Sequence, residues 1–444
     1  MKLSSPDQSR RHFLKHSGTA AVALGAPWYV PSKVLAGPGK VAPSDKIVMG
    51  VIGTGGMGQH NARLFMDQPD VQMVAVCDVD QRHLQAAAQA VNERYGNQDC
   101  QTYADFRELL ARDDIDAVVV ATPDHWHALA TTAAARAHKD IYCEKPLANS
   151  VGEGRAICNA VNENNCILQT GSHERSGDNA RLACELIRAG RLGKIHTVRV
   201  NLPCDDPHHQ EVLALQEVPA EMPVPPEFDY DFWLGHTPLV PYTEKRCHFW
   251  WRFILAYGGG EMTDRGAHVI DLVQLALDMD DSGPVVFTAN GRASQTSLYD
   301  AFMQFEFENR YSKDVRMIGS NDGPRGVRFE GTDGWLFVHV HGGKLEAEPA
   351  DLLEPANAPE ASLGRTPSHR RNFLDAVRSR QQPFANAEVG HRTATICHLN
   401  NIAMRLGRPI KWDPHTETVL DDAEANSLLM PEMRQPWSLG ITQE

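Results

Sequence analysis

A lysine, an aspartate and a histidine stand in two short segments of this 444-residue chain. Lys145 lies in Cys143-Glu144-Lys145-Pro146, and Asp264 and His268 lie in Gly258-Gly259-Gly260-Glu261-Met262-Thr263-Asp264-Arg265-Gly266-Ala267-His268. The second segment opens a helical pattern, so residues four apart, Asp264 and His268, are expected on one helix face. A base, a carboxylate and an ammonium converging on a carbon that bears a hydroxyl suit oxidation of an alcohol. His268 would take the hydroxyl proton, Asp264 would orient the imidazole or the substrate, and Lys145 would stabilise the developing alkoxide or ketone oxygen. Without a redox cofactor the same residues read as a helix-terminal carboxylate beside an ordinary histidine. What separates the two readings is whether the chain also builds a hydride-acceptor site.

The pattern for such a site is present. Gly53-Thr54-Gly55-Gly56-Met57-Gly58 is a G-x-G-x-x-G that follows a strand-length apolar run and opens a helix. Glycines there permit a tight turn and close backbone approach to a pyrophosphate at the positive end of the helix. Twenty residues beyond Gly58, Asp78 ends the second apolar run. A carboxylate at that place accepts hydrogen bonds from ribose hydroxyls and repels a 2'-phosphate, so NAD is expected over NADP, with Arg82 nearby as a softening cation. Thr122, Pro123 and His127 follow the fourth strand and, with Glu144, are expected against the cofactor. His125 and His127 have a metal-like spacing, but no third or fourth ligand stands near them in sequence, and no metal is expected.

These residues need a scaffold that brings strand ends together. Apolar runs at 46–52, 71–77, 117–121, 141–143 and 167–170 alternate with helical patterns near 58–67, 81–94, 104–112 and 127–137. Such alternation predicts an α/β fold with a doubly wound parallel sheet, a Rossmann domain over 45–170. After a helix near 177–189 come longer runs of alternating polarity at 195–201, 285–293, 301–308, 314–319 and 334–341. They predict a second α/β domain, 171–444, with a large open, mainly antiparallel sheet for substrate binding and oligomerisation. The Pro-rich stretch 203–226 reads as a loop or arm, and helices near 367–379 and 389–406 precede an irregular tail.

Composition narrows the partners. With 43 Lys+Arg against 57 Asp+Glu and a net charge of -14, the chain lacks the basic surface that nucleic acid requires. Nine cysteines without a C-x-x-C read mainly as buried thiols. The first 36 residues depart from this acidic character. Arg10-Arg11 in a basic stretch, an apolar run from Ser17 to Ala26 and the ending Val34-Leu35-Ala36 read as a twin-arginine export signal, too short for a permanent membrane anchor. Periplasmic location, or export by that machinery, follows as the expectation.

Taken together, the glycine fingerprint, Glu144-Lys145-Pro146 and the Gly258-to-His268 block resemble the Gfo/Idh/MocA family (glucose-fructose oxidoreductase, inositol dehydrogenase, rhizopine catabolism). Phe329-Glu330-Gly331-Thr332-Asp333-Gly334 and the helix from His369 to Val377 extend the resemblance over nearly all of the chain after residue 36. The resemblance implies a Rossmann domain followed by an open-sheet domain that packs on the cofactor site or a neighbouring subunit. Lys145 matches the family's catalytic-site lysine, and Asp264 and His268 its aspartate and histidine. Sugar, inositol and related polyol substrates are likewise implied. Where many relatives carry Gly-x-Gln-x-Arg, this chain has Gly171-Ser172-His173-Glu174-Arg175, which makes His173 and Arg175 candidates for substrate contact. Trp251 and Arg252, beside Phe249 and Trp250, either stack on sugar C–H faces or pack a core.

Export constrains the chemistry. A folded protein carries its NAD out with it, and free NAD is scarce outside, so the cofactor is expected to stay bound and be recycled. Two activities meet that demand: oxidation of a sugar or polyol CH–OH group, and a redox-neutral glycoside hydrolysis through transient sugar oxidation and elimination. A homo-oligomer is expected, because an open sheet needs cover.

Overall fold

The computed structural model describes residues 41–440; the twin-arginine signal read at 1–36 lies outside them. Pro43–Asp45 form a 3-10 turn, and a compact unit begins at Ile47. Its first layer is a parallel six-stranded sheet of β1 (Ile47–Ile52), β2 (Val71–Cys77), β3 (Gln101–Tyr103), β4 (Ala117–Val120), β5 (Asp140–Cys143) and β6 (Leu168–Thr170), in the order β3-β2-β1-β4-β5-β6. Strands β1 and β4 are almost wholly buried, which is why they read as unbroken apolar runs. The order reverses between them, and the crevice beyond their carboxyl ends is where such folds take a ligand. Strand β3 escaped the sequence reading because it is a three-residue, polar, largely exposed edge.

The second layer is a nine-stranded sheet of β7 (Ile195–Asn201), β8 (Val286–Ala293), β9 (Phe302–Arg310), β10 (Arg316–Ser320), β11 (Gly326–Gly331), β12 (Gly334–His339), β13 (Leu345–Glu348), β14 (Ile410–Asp413) and β15 (Thr418–Val419). It is antiparallel except for β7 with β10. Helices Asp178–Arg188, Gly266–Leu277 and Ala387–Leu406 bury one face in a continuous apolar core. The other face carries pairs such as Arg199–Glu330 and Arg316–Glu308. Strands β11 and β13 to β15 are additions to the sequence reading, and the tail expected to be irregular contains two of them.

Two stretches tie the layers together. Inside the expected loop 203–226 lies the helix Pro207–Ala214, whose N-terminus is closed by a reciprocal Asp206–His209 capping box. The chain then brings Phe228, Tyr230 and Trp233 into an aromatic core beside the first sheet. The helix His369–Ser379 returns to the first layer, where Phe373 and Leu374 pack with Phe65 and Tyr142. Arg371 and Arg378 meet Asp70 there at 2.8 and 3.0 Å. All nine cysteines are free thiols, and all but Cys100 and Cys204 are buried. Among the described residues no helix is long and apolar enough to cross a membrane.

Candidate active site

A cleft of about 430 Å³ runs along the carboxyl edge of the first sheet. Gly53, Gly55, Gly56, Met57, Asp78, Thr122, Pro123, His127 and Glu144 all border it, and so do Lys145, Trp251, Arg252 and Asp264. The turn that opens it depends on two glycines. Gly53 sits at φ +84°, a left-handed conformation, and a side chain on Gly58 would overlap the Gly53 carbonyl oxygen. No atom lies within 4 Å of where side chains on Gly55 or Gly56 would begin, so the cradle is open toward the helix N-terminus.

Thr54 does not border the cleft; it fastens Asp78. Its backbone N–H and hydroxyl donate to Asp78 Oδ2 at 2.6 and 3.1 Å, and the Asp80 N–H donates to Oδ1 at 2.9 Å. The carboxylate is therefore oriented while keeping lone pairs for a ribose. The Arg82 guanidinium is turned to Asp80, with Nη2 at 2.9 Å from Oδ2. His83, Phe228 and His248 line this end of the cleft, none of them anticipated.

At the other end Lys145 Nζ donates to Asp264 Oδ1 at 2.5 Å and to the Asp264 carbonyl at 2.9 Å. Burial opposes the Lys145 charge, but Asp264 outweighs it and raises the ammonium's pKa. Burial likewise pushes Asp264 up, yet Lys145 and then Arg252 bring its carboxyl well below the usual range. The pair is ionic across ordinary pH. Arg252 lies over the Trp251 ring, 4.5 Å from its centroid, with Nε 3.9 Å from Asp264 Oδ2. Asp124, directly after Pro123, also faces the cleft; burial raises its pKa well above the usual carboxylate range despite Lys145. That shift favours the protonated form, a proton donor toward the cleft, and nothing in the local sequence singles out Asp124.

Two expectations are corrected here. The Asp264–His268 helix is broken: a single turn, Glu261–Asp264, ends before Arg265, and the next helix starts at Gly266. Asp264 therefore faces Lys145, and no hydrogen bond joins it to His268. Second, Arg175 does not reach the cleft. Its buried guanidinium is held by Asp271 at 2.7 and 2.8 Å, by Asp280 at 3.0 Å and by the Phe384 carbonyl, a structural network that burial makes obligatory. His127 borders the cleft as expected, and both its nitrogens are held there, lying 2.7 Å from the Pro146 carbonyl and 3.0 Å from that of Thr122. The ring braces two segments of the cleft wall, leaving only its face for a cofactor. His125, its partner in the His-x-His, is pulled to a pKa of about 3 by burial and lies against the Trp233 carbonyl.

Glu144 accepts from Asn61 Nδ2 at 2.7 Å, and Asn61 in turn accepts from Arg370 at 2.6 Å. That chain couples the glycine-loop helix, the Lys145 segment and the returning helix. His268 and His173 lie just beyond the cleft lining. The His268 ring packs edge-on against His173 and against His341, with centroids 4.9 and 4.7 Å apart. Burial first, and then the Lys145 charge, lower the His268 pKa well below its ordinary value, so the ring is neutral. His341, just past β12, could not be linked to this place from sequence.

Comparison with known proteins agrees with this layout. An oxidoreductase-family model for an NAD-binding Rossmann fold matches residues 47–172, and one for an oxidoreductase-family C-terminal alpha/beta domain matches residues 183–439. A "Glycosyl hydrolase family 109 protein" of Shewanella pealeana is 30% identical over 203 residues, 42% of this chain and 44% of that protein. An "Inositol 2-dehydrogenase" of Rubrobacter xylanophilus is 34% identical over 152 residues, 34% of this chain and 42% of that protein. The chain thus matches less than half the length of these curated relatives. The WlbA dehydrogenase of Bordetella pertussis, solved with NADH and UDP-GlcNAcA, superposes with a TM-score of 0.63 at 18% identity, covering 83% of this chain and 99% of that one. An aldose-aldose oxidoreductase of Caulobacter crescentus gives 0.59 at 18% identity, covering 82% and 99%. At such identities these structures share the fold.

Proposed function

The chain belongs to the Gfo/Idh/MocA oxidoreductase family, and from that premise we propose that it oxidises a CH–OH group of a sugar, sugar derivative or polyol with NAD. The observation that carries the reading is the Lys145–Asp264 pair standing in the same cleft as the open glycine cradle. The cradle, the oriented Asp78 and the helix N-terminus fit a dinucleotide. When bound there, NAD supplies the hydride acceptor.

The residues around it divide the remaining work. Lys145, kept charged by Asp264, donates to the substrate oxygen as negative charge develops on it. His268, neutral and beside Lys145, accepts the hydroxyl proton. Asp124 holds a proton within the same cleft for the reverse direction. Trp251 is buried in the aromatic core with Arg252 over its ring, so Arg252 rather than the indole face meets the sugar, and half-exposed His173 contributes a further contact. NAD is favoured over NADP because Asp78 is fixed by three donors and Arg82 is committed to Asp80.

The twin-arginine reading of the first 36 residues supports an exported, periplasmic enzyme that leaves the cytoplasm with its cofactor loaded, and an open sheet face that needs cover supports a homo-oligomer. A second reading, redox-neutral glycoside hydrolysis, is favoured by the match to glycosyl hydrolase family 109 proteins. The same lysine and histidine would serve elimination and water addition.

One experiment separates them. Purified protein is incubated with sugars, polyols and aryl glycosides while NADH absorbance and aglycone release are followed together. NADH formation without cleavage supports dehydrogenation, and cleavage without net NADH supports the second reading. Neither signal across the panel, with NAD bound, overturns both.

A further inference from the structure

We propose that His173, His268 and His341 form a divalent-metal site, zinc by the chemistry of its donors, at the substrate end of the cleft. His173 stands in the turn after β6, His268 in the first turn of Gly266–Leu277, and His341 in the turn after β12. Three elements distant in sequence thus deliver three imidazoles to one point. One ring nitrogen from each lies within 4.8 Å of the other two, so a central point is no more than about 2.8 Å from all three; shifts below about 1 Å reach the usual Zn–N distance of roughly 2.0–2.1 Å.

A second observation points to a ligand. His268 is 5% exposed, and its Nδ1 is buried with no hydrogen-bond partner. Leaving such an atom unsatisfied costs about 1–3 kcal/mol, a cost that a cation bound to it would remove. The surroundings suit a cation bound to neutral imidazoles. Glu174 Oε1 lies 3.3 Å from His173 Nε2 and 3.8 Å from His341 Nε2, a carboxylate that orients the rings and balances charge. His173 and His341 side chains are each 36% exposed, which leaves an entry path and open positions. Three histidines with an open position is a catalytic rather than a structural zinc arrangement. One group competes: Arg325 Nη1 lies 2.7 Å from His341 Nδ1, so the cation must draw that ring away, and Asp206, 3.7 Å from Arg325, can receive the guanidinium.

The existence of the site is independent of the proposed oxidation; its role rests on it. A substrate hydroxyl taken up by the ion becomes more acidic and gives its proton to water as the C–H electron pair leaves as hydride to the nicotinamide. His268 then acts on the hydroxyl through the metal rather than by accepting the proton itself.

The test uses the full chain, purified without a polyhistidine tag, stripped by chelator and dialysed against Zn2+ or Co2+. Metal content, the visible spectrum of the Co2+ form and thermal unfolding are measured. One ion per chain is expected, with a tetrahedral Co2+ spectrum and a higher melting temperature. His173→Ala and His341→Ala should each weaken binding at least about 100-fold, and Arg325→Ala, which removes the competing donor, should tighten it. Fewer than one site in ten filled, or filling unchanged in both histidine variants, overturns the site and leaves a hydrogen-bonded histidine cluster. Sugar oxidation at full rate in the stripped protein overturns the metal's role while the dehydrogenase reading stands. Stoichiometric binding by the three histidines without oxidation of any sugar has the opposite meaning: the site stands and the dehydrogenase reading falls.

Discussion

Replacing Lys145 by methionine keeps the bulk of the side chain and deletes its charge, so it isolates what the ammonium does. Two hydrogen bonds are lost, at 2.5 and 2.9 Å, and Asp264 is left facing the cleft without its main partner. Breaking a fully buried pair costs about 3–5 kcal/mol, whereas exposed pairs are worth about 0–1. Lys145 is 14% and Asp264 34% exposed, between those limits, so a loss of about 2 kcal/mol is expected. Asp264→Asn in the same chain removes the stranded charge and should return about 1 kcal/mol of it, a coupling a double-mutant cycle resolves. Catalytically, loss of a donor to the developing oxyanion costs about 10²–10³ in kcat. NAD affinity should change little, since the glycine loop and Asp78 are untouched. Equilibrium denaturation, calorimetric NAD titration and sugar-dependent NADH formation measure the three quantities. A variant as stable as the parent, with kcat within about threefold, would refute the reasoning, because the pair would then contribute neither to the fold nor to the charge that develops.

Four further outcomes are expected. Asp78→Ser should raise the NADP-to-NAD ratio of kcat/KM by about 1,000-fold, since unit charges about 4 Å apart repel by about 4 kcal/mol at an effective dielectric constant of 20; initial rates with each cofactor test it. Gly58→Ala should weaken NAD binding at least about tenfold, because the added methyl must push the helix from the Gly53 carbonyl, and a cofactor titration on folded protein measures it. Arg175→Met should cost about 3–5 kcal/mol by stranding the buried Asp271 carboxylate, while the KM for any substrate stays within twofold or so. Asp70 is pushed up by burial, but the Arg371 hydrogen bond and then the charges of Arg371 and Arg378 win and hold its pKa below 3.8. A depressed folded-state pKa gives stability that is present above the ordinary value and lost as pH falls through the folded one. Asp70→Asn should therefore lower stability at neutral pH and flatten its decline below about pH 4, as seen in unfolding midpoints across that range.

Much of the first layer was legible because parallel strands covered on both faces must be continuously apolar. The turn after β1 was legible because only glycine tolerates its φ at Gly53 and the close approach at Gly58. The limits have equally physical origins. A three-residue polar edge strand, β3, carries no burial signature. A spacing of four implies a helix that continues past Arg265, and the break there sends Asp264 to Lys145 instead of His268. Arg175 is a candidate for substrate contact from its place in the stretch where relatives carry Gly-x-Gln-x-Arg, yet Asp271 and Asp280 hold it.

By itself the sequence determined the α/β class, the dinucleotide turn, the acidic residue beyond it and the lysine at a strand's carboxyl end. Each is set by local backbone geometry or by the period of burial, and both are written in neighbouring residues. Only the tertiary structure decided which charges meet: Lys145 with Asp264, Arg175 with Asp271, and His268 with His173 and His341 rather than with the carboxylate four residues before it. Those pairings depend on where β6, β12 and the broken helix come together, and a buried charge or nitrogen takes the partner that the packed chain brings within reach.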